Sequence, residues 1–131
     1  MSAVPDLSGE WRGVFNYPAG HPSTEFTATL RDAGGVLSGE VSEPALFGAD
    51  AGGVIHARID GRRDGRAVAF TKFYEATDYY DLVAYRGEVS AEGDEIAGRW
   101  TIPDIWSGSF IMVRPRGAAA EAEQRAAEPV R

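Results

Sequence analysis

The sequence predicts an all-β domain, an eight-stranded antiparallel up-and-down β-barrel, and three observations carry that prediction. Apolar and polar residues alternate with period two through eight short segments. Sixteen glycines are spread among those segments, too many for a helical domain but suited to sheets with tight turns. A chain of sequential hairpins this long would expose unpaired edge strands unless the sheet closes on itself.

The strands are expected at residues 9–17, 24–31, 36–43, 53–60, 66–73, 82–90, 95–102 and 107–115. Turning the larger apolar residues inward places Trp11, Phe15 and Tyr17 inside on the first strand and Phe26, Ala28 and Leu30 on the second. Leu37 and Val41 follow on the third, Ile55 and Ile59 on the fourth. The fifth carries Val68, Phe70, Lys72 and Tyr74, and the sixth Val83, Tyr85 and Val89. The seventh has Ile96, Trp100 and Ile102, the eighth Phe110 and Met112. Glycines on the same parity, Gly13 and Gly108 among them, supply the small residues that a tapering closed interior needs.

Alternate connections of such a barrel lie at one end. The even ones, RDAGG, DGRRDG and SAEGDE, are compact polar turns. The odd ones, NYPAGHPS, EPALFGADAGG, YEATDYYD and PDIW, are mostly longer and richer in aromatics. Function is expected at this elaborated end, because loops can vary while the ladder holds. Residues 1–116 form the expected single domain. The alanine- and glutamate-rich stretch 117–131, with only Val130 as a sizeable apolar residue, is expected to be a flexible or partly helical tail.

Composition excludes several classes. A formal charge of -7 offers no basic patch for nucleic acid or for an anionic membrane. Absent cysteine removes disulfides, thiolate nucleophiles and cysteine metal sites. The opening MSAVPDLSGEW has neither a basic nor an apolar leader region, and no apolar run is of membrane-spanning length, so a soluble cytoplasmic protein is expected. Glu75, Asp78 and Asp81 repeat at intervals of three in one loop but lack a glycine-centred ion-binding pattern, and the two histidines, His21 and His56, do not make a zinc set. No metal and no cofactor is expected. No serine has a histidine base at a readable spacing, and no phosphate-binding loop is present.

The residue that asks the sharpest question is Lys72, set in VAFTKFYEATDYYD among apolar and aromatic neighbours. An inward ammonium costs several kcal/mol unless something pairs with it, so Lys72 requires either a neighbouring side chain or a ligand. With the parity reversed, Ala67, Ala69, Thr71 and Phe73 point in and Lys72 is solvated. On the barrel reading Tyr17, Lys72, Tyr74, Tyr85 and Trp100 all approach the elaborated end, with Trp106, Phe47, Tyr79 and Tyr80 in or beside its loops. Tyr17, Lys72, Tyr74, Tyr85, Trp100 and Trp106 are the candidate ligand-binding residues. They offer ring faces, phenol donors and one cation, suited to a hydrophobic or aromatic small molecule, including one that carries a carboxylate. The competing reading is that they are core and lid packing.

Leu7-Ser8-Gly9-Glu10-Trp11 resembles the Gly-x-Trp opening of lipocalins and avidin-like proteins, the calycin group of small-ligand barrels. Leu37-Ser38-Gly39-Glu40-Val41, Val83-Ala84-Tyr85-Arg86-Gly87 and Ile96-Ala97-Gly98-Arg99-Trp100 resemble avidin segments, so the likeness spans most of residues 7–115. It implies a barrel floor in which Arg114 of the last strand covers Trp11, and aromatic pocket walls at Tyr85 and Trp100. It does not imply biotin, because avidin's ureido-binding asparagine is Gly13 here and its third-strand tyrosine is Val41.

Three functions follow as expectations. The first is a non-enzymatic small-molecule-binding barrel. The second is an isomerase or cyclase on a calycin-like barrel, with Lys72, Tyr74 or Tyr85 polarising a substrate. The third is a pocketless interaction or inhibitor barrel. Outward Ala69, Thr71, Phe73, Leu82, Ala84, Ser109, Ile111 and Val113 are unusually apolar and predict a homo-oligomer.

Overall fold

A computed structural model describes residues 5–18, 22–44, 52–74, 82–115, 117–120 and 122. Eight strands follow in order: β1 (Gly9–Asn16), β2 (Thr24–Ala33), β3 (Val36–Pro44), β4 (Val54–Asp64), β5 (Ala67–Tyr74), β6 (Leu82–Val89), β7 (Glu95–Ile102) and β8 (Trp106–Val113). Each pairs antiparallel with its neighbour in sequence, and β1 closes on β8 from Arg12↔Val113 to Asn16↔Ser109. The result is a closed up-and-down barrel.

Two strands run further than expected. β2 continues to Ala33 because Gly34 and Gly35, at φ 64° and 95°, make the two-residue turn, a backbone only glycine adopts without strain. β4 continues through Gly61, Arg62 and Arg63 to Asp64, which pairs with Ala67. The segment DGRRDG is therefore ladder for most of its length rather than loop. Asp60, Arg62 and Asp64 alternate outward along it, and the actual turn is only Gly65-Arg66.

These tight turns make a closed lower end. Asp32 holds it, accepting from Arg63 Nε at 2.6 Å and from the backbone N–H of Leu7 and Gly35 at 3.0 Å each. Above the floor, buried inward residues alternate with exposed or half-buried outward ones, and the core runs from Leu7, Trp11 and Met112 up to Phe15, Tyr85 and Trp100. Aromatic rings fill the middle. Phe70 stacks on Tyr85 with centroids 4.9 Å apart, and Phe110 meets both edge-on at 6.1 and 5.0 Å. Residues 117–120 are helical, and Ala119 and Ala122 are buried. Among the described residues no helix is long and apolar enough to cross a membrane.

Candidate functional site

The upper end of the barrel gathers all six candidate residues. Tyr17 immediately follows β1, Tyr74 ends β5 and Trp106 opens β8, while Lys72, Tyr85 and Trp100 project inward from β5, β6 and β7. Tyr17 lies 5.1 Å from Trp106 and 5.7 Å from Trp100 between ring centroids, and the two indoles meet at 6.0 Å, nearly perpendicular. Two polar atoms of this wall are hydrogen-bonded. Trp100 Nε1 donates to the Asn16 carbonyl at 3.1 Å, and the Tyr17 hydroxyl lies 3.0 Å from Thr24 Oγ1.

Lys72 points inward and is 2 % exposed. Its ammonium sits 4.6 Å from the ring centroids of Phe15 and Tyr74 and 5.5 Å from that of Tyr85, an aromatic box of cation–π contacts. The charge is met by Glu43: Nζ donates to Oε2 at 2.9 Å, and the Tyr74 hydroxyl donates to Oε1 at 2.7 Å. The partner that Lys72 requires is thus a side chain of β3. Reasoning from sequence passed over Glu43, although a signal existed, since residue 43 shares the inward parity of Leu37 and Val41. An acidic residue on that parity at a strand end, two strands from an inward lysine, is the pattern to look for.

Electrostatics follow from the burial. Desolvation disfavours the Lys72 ammonium, but the Tyr85 phenol, the Glu43 carboxylate and Tyr74 outweigh it, and its pKa lies above the ordinary lysine range. Burial raises the phenol of Tyr74, the nearby ammonium only partly offsetting it, and does the same for Tyr85. Both phenols therefore stay protonated at neutral pH. They are hydrogen-bond donors, and they are not bases.

At the opposite end the Arg114 guanidinium lies 4.7 Å from the Trp11 ring centroid. It donates to the carbonyls of Gly93, Ser8 and Asp6 at 2.9, 2.9 and 2.7 Å. Trp11 Nε1 in turn donates to the Leu7 carbonyl at 2.9 Å. One guanidinium fork thereby ties the entering segment, the β6–β7 turn and the first strand together.

No protein-family model matches the chain, and no curated protein matches it either. Glu43, Lys72 and Tyr74 form a net-neutral polar patch at the same barrel end as Tyr17, Trp100 and Trp106, able to accept or donate to a small polar head while rings hold an apolar body.

Other sequence candidates separate from this cluster. Phe47, Tyr79, Tyr80, His21 and the Glu75, Asp78 and Asp81 series lie outside the described residues. Among the described residues no three metal-ligating side chains converge. The fold does set Ser42 opposite His56, with Oγ 3.3 Å from Nδ1, a pairing of strands that no linear spacing displays. It is an exposed pair on the outer wall, and among the described residues no carboxylate orients His56.

Proposed function

We propose that this chain is a non-enzymatic binding barrel for a hydrophobic or aromatic small molecule, held at the upper end above Lys72, Glu43 and Tyr74. One observation carries the reading: a fully buried, ion-paired lysine sits in a box of Phe15, Tyr74 and Tyr85 rings at the barrel end that also carries Tyr17, Trp100 and Trp106. Buried ion pairs contribute little net stability, and apolar replacements of similar volume are often as stable, so packing alone gives weak reason for this patch. A ligand that uses the patch gives a better one. Because Glu43 already meets the Lys72 charge, a ligand carboxylate would have to compete with it. The raised phenols of Tyr74 and Tyr85 argue against a tyrosinate base, so an isomerase or cyclase here would have to work by hydrogen-bond polarisation of its substrate.

A calycin-like relationship is the finer reading of the barrel, supported by the Gly-x-Trp opening and by Arg114 over Trp11. Tight biotin binding is not part of it: the Phe26 ring fills the space beside Gly13 where an asparagine side chain would need to stand. A homo-oligomer is part of it, formed on the outer wall where Leu82, Ile111 and Val113 are 42, 38 and 44 % exposed.

Native mass spectrometry on protein gently purified from its own host tests both points. A retained small molecule, lost in Lys72→Met, together with a subunit number above one, is the expected result. A bare chain whose tryptophan fluorescence also ignores small aromatic compounds would favour the pocketless interaction barrel, the reading supported by the packed Phe70, Tyr85 and Phe110 rings.

A further inference from the structure

The barrel wall is not hydrogen-bonded along its full height. The β2–β3 ladder ends at Thr27↔Ser42, although β2 begins at Thr24 and β3 runs to Pro44. Past that pair, Glu43 and Pro44 continue only with Ile55 and Val54 of β4, while Thr24, Glu25 and Phe26 continue only with β1. Extending the register would set Phe26 against Glu43 and Glu25 against Pro44. Pro44 has no N–H to give, and the Glu43 side chain is engaged inward by Lys72. The strands part, and an open groove of about 440 Å³ lies in the seam.

Phe26, Pro44 and Val54 give this groove an apolar side, and Arg12 and Glu25 line it from the outer face. Glu43 also lines it, although only 5 % exposed, whereas Lys72 does not. From the seam, a bound molecule therefore meets the acceptor half of the buried cluster. Each carboxylate oxygen has two lone pairs, and each uses one, on Lys72 or on Tyr74. Both can accept again.

Charge then selects the ligand. The lining residues include two carboxylates and one guanidinium, in a chain of net charge -7. A carboxylate ligand would face Glu43 at short range with the lysine behind it, a like-charge approach in a partly desolvated site. A protonated amine would meet Glu43 as an acceptor of opposite sign, sharing the carboxylate with Lys72 on its inner side. The volume falls within the range of small-molecule sites. We infer that the β2–β3 seam is a lateral binding site for a small organic amine, whose ammonium donates to Glu43 while its apolar body lies against Phe26, Pro44 and Val54. The inference rests on the reading that the Glu43 cluster is contacted by ligand, and it adds a route through the wall and a charge class.

Amide NMR on the full chain tests it, with benzylamine, benzyl alcohol and benzoate as the compounds titrated. Benzylamine is expected to shift the amides of Phe26, Thr27, Ser42 and Val54 saturably, with a Kd on the order of a millimolar for so small a fragment. Benzoate is expected to bind at least about tenfold more weakly. Glu43→Gln keeps an acceptor but removes the charge, and should weaken benzylamine about tenfold while sparing benzyl alcohol. Should that variant fail to fold, Val54→Trp fills the groove from an exposed position without touching the ion pair, and should abolish the shifts. Benzoate binding as well as benzylamine, or no saturable shift at these amides, would overturn the lateral site. Shifts confined to Tyr17, Trp100 and Trp106 would also overturn it, while leaving the upper-end reading standing on its own mass-spectrometric test.

Discussion

Lys72 Nζ and Glu43 Oε2 lie 2.9 Å apart inside the barrel, on side chains only 3 % and 5 % exposed. The two residues are 29 positions apart and reach each other from β5 and β3, strands separated by β4. Neither could stay buried alone. Their relationship fixes the polarity of the upper end and supplies the most direct test of it.

Glu43→Gln leaves a buried ammonium without its carboxylate and is expected to destabilise the chain by about 3–5 kcal/mol. Lys72→Met combined with Glu43→Leu removes both charges and is expected to recover most of that loss, Tyr74 being only partly buried and able to turn to water. Urea denaturation of the wild type, Glu43→Gln and the double variant measures the coupling. A double variant as unstable as Glu43→Gln would mean that the pair stabilises the fold outright rather than merely neutralising itself.

Stability should hold level from neutral pH upward and fall above about pH 10. The ordinary values are 10.5 for lysine and 10.0 for tyrosine, and Lys72, Tyr74 and Tyr85 are all raised on folding. Above the unfolded values the unfolded chain has released protons that the native chain still binds, so unfolding gains as pH rises. Each of the three therefore contributes stability that is complete below about pH 10 and is lost as pH climbs toward the folded value. Thermal unfolding followed across the alkaline range checks this. Lys72→Met should flatten the decline, and an unchanged slope in that variant would remove Lys72 as a cause.

Period-two alternation was enough to read the barrel, because every strand buries one face and a slip by one residue would expose the whole inward set. The parity that places Phe70 inside also places Lys72 inside, so the buried lysine was legible too. Glu43 was legible only as an inward acidic residue, because its contact with Lys72 depends on the stagger of three strands rather than on either local pattern. The seam was hidden for a similar reason. Pro44 marks a strand end in any sequence, but whether β2 and β3 part there depends on where β2 begins relative to β3. Strand ends erred at β4, where charged residues read as turn residues in fact alternate along an exposed ladder.

Arg114→Ala is expected to cost about 2–4 kcal/mol, since it strands carbonyls of Asp6, Ser8 and Gly93 and uncovers the Trp11 ring. Arg114→Lys should recover less than half, because an ammonium on a flexible stem cannot present the guanidinium fork to three carbonyls at once. Chemical denaturation of the two variants separates the fork from the charge. Full recovery by lysine would show that charge over the indole, and not the hydrogen-bonded fork, is what holds the floor.

Gly13→Ala tests whether the seam's back wall is packed as tightly as it looks. A Cβ on Gly13 would clash with the tip of the Phe26 ring, Cζ first, and the ring is buried, at 8 % exposure, with the Phe15 ring centroid 5.7 Å away. It has little room to retreat except outward into the groove. The added methyl should therefore cost about 1–3 kcal/mol by overpacking. In a Phe26→Leu background the ring is gone, and the same methyl should cost less than about half as much. Denaturation of the four members of this cycle decides it: an equal cost in both backgrounds would mean that Gly13 is required by its strand neighbours. Coupling would instead assign the glycine to the ring that stands in its place, the ring that also closes the space an asparagine at this position would need.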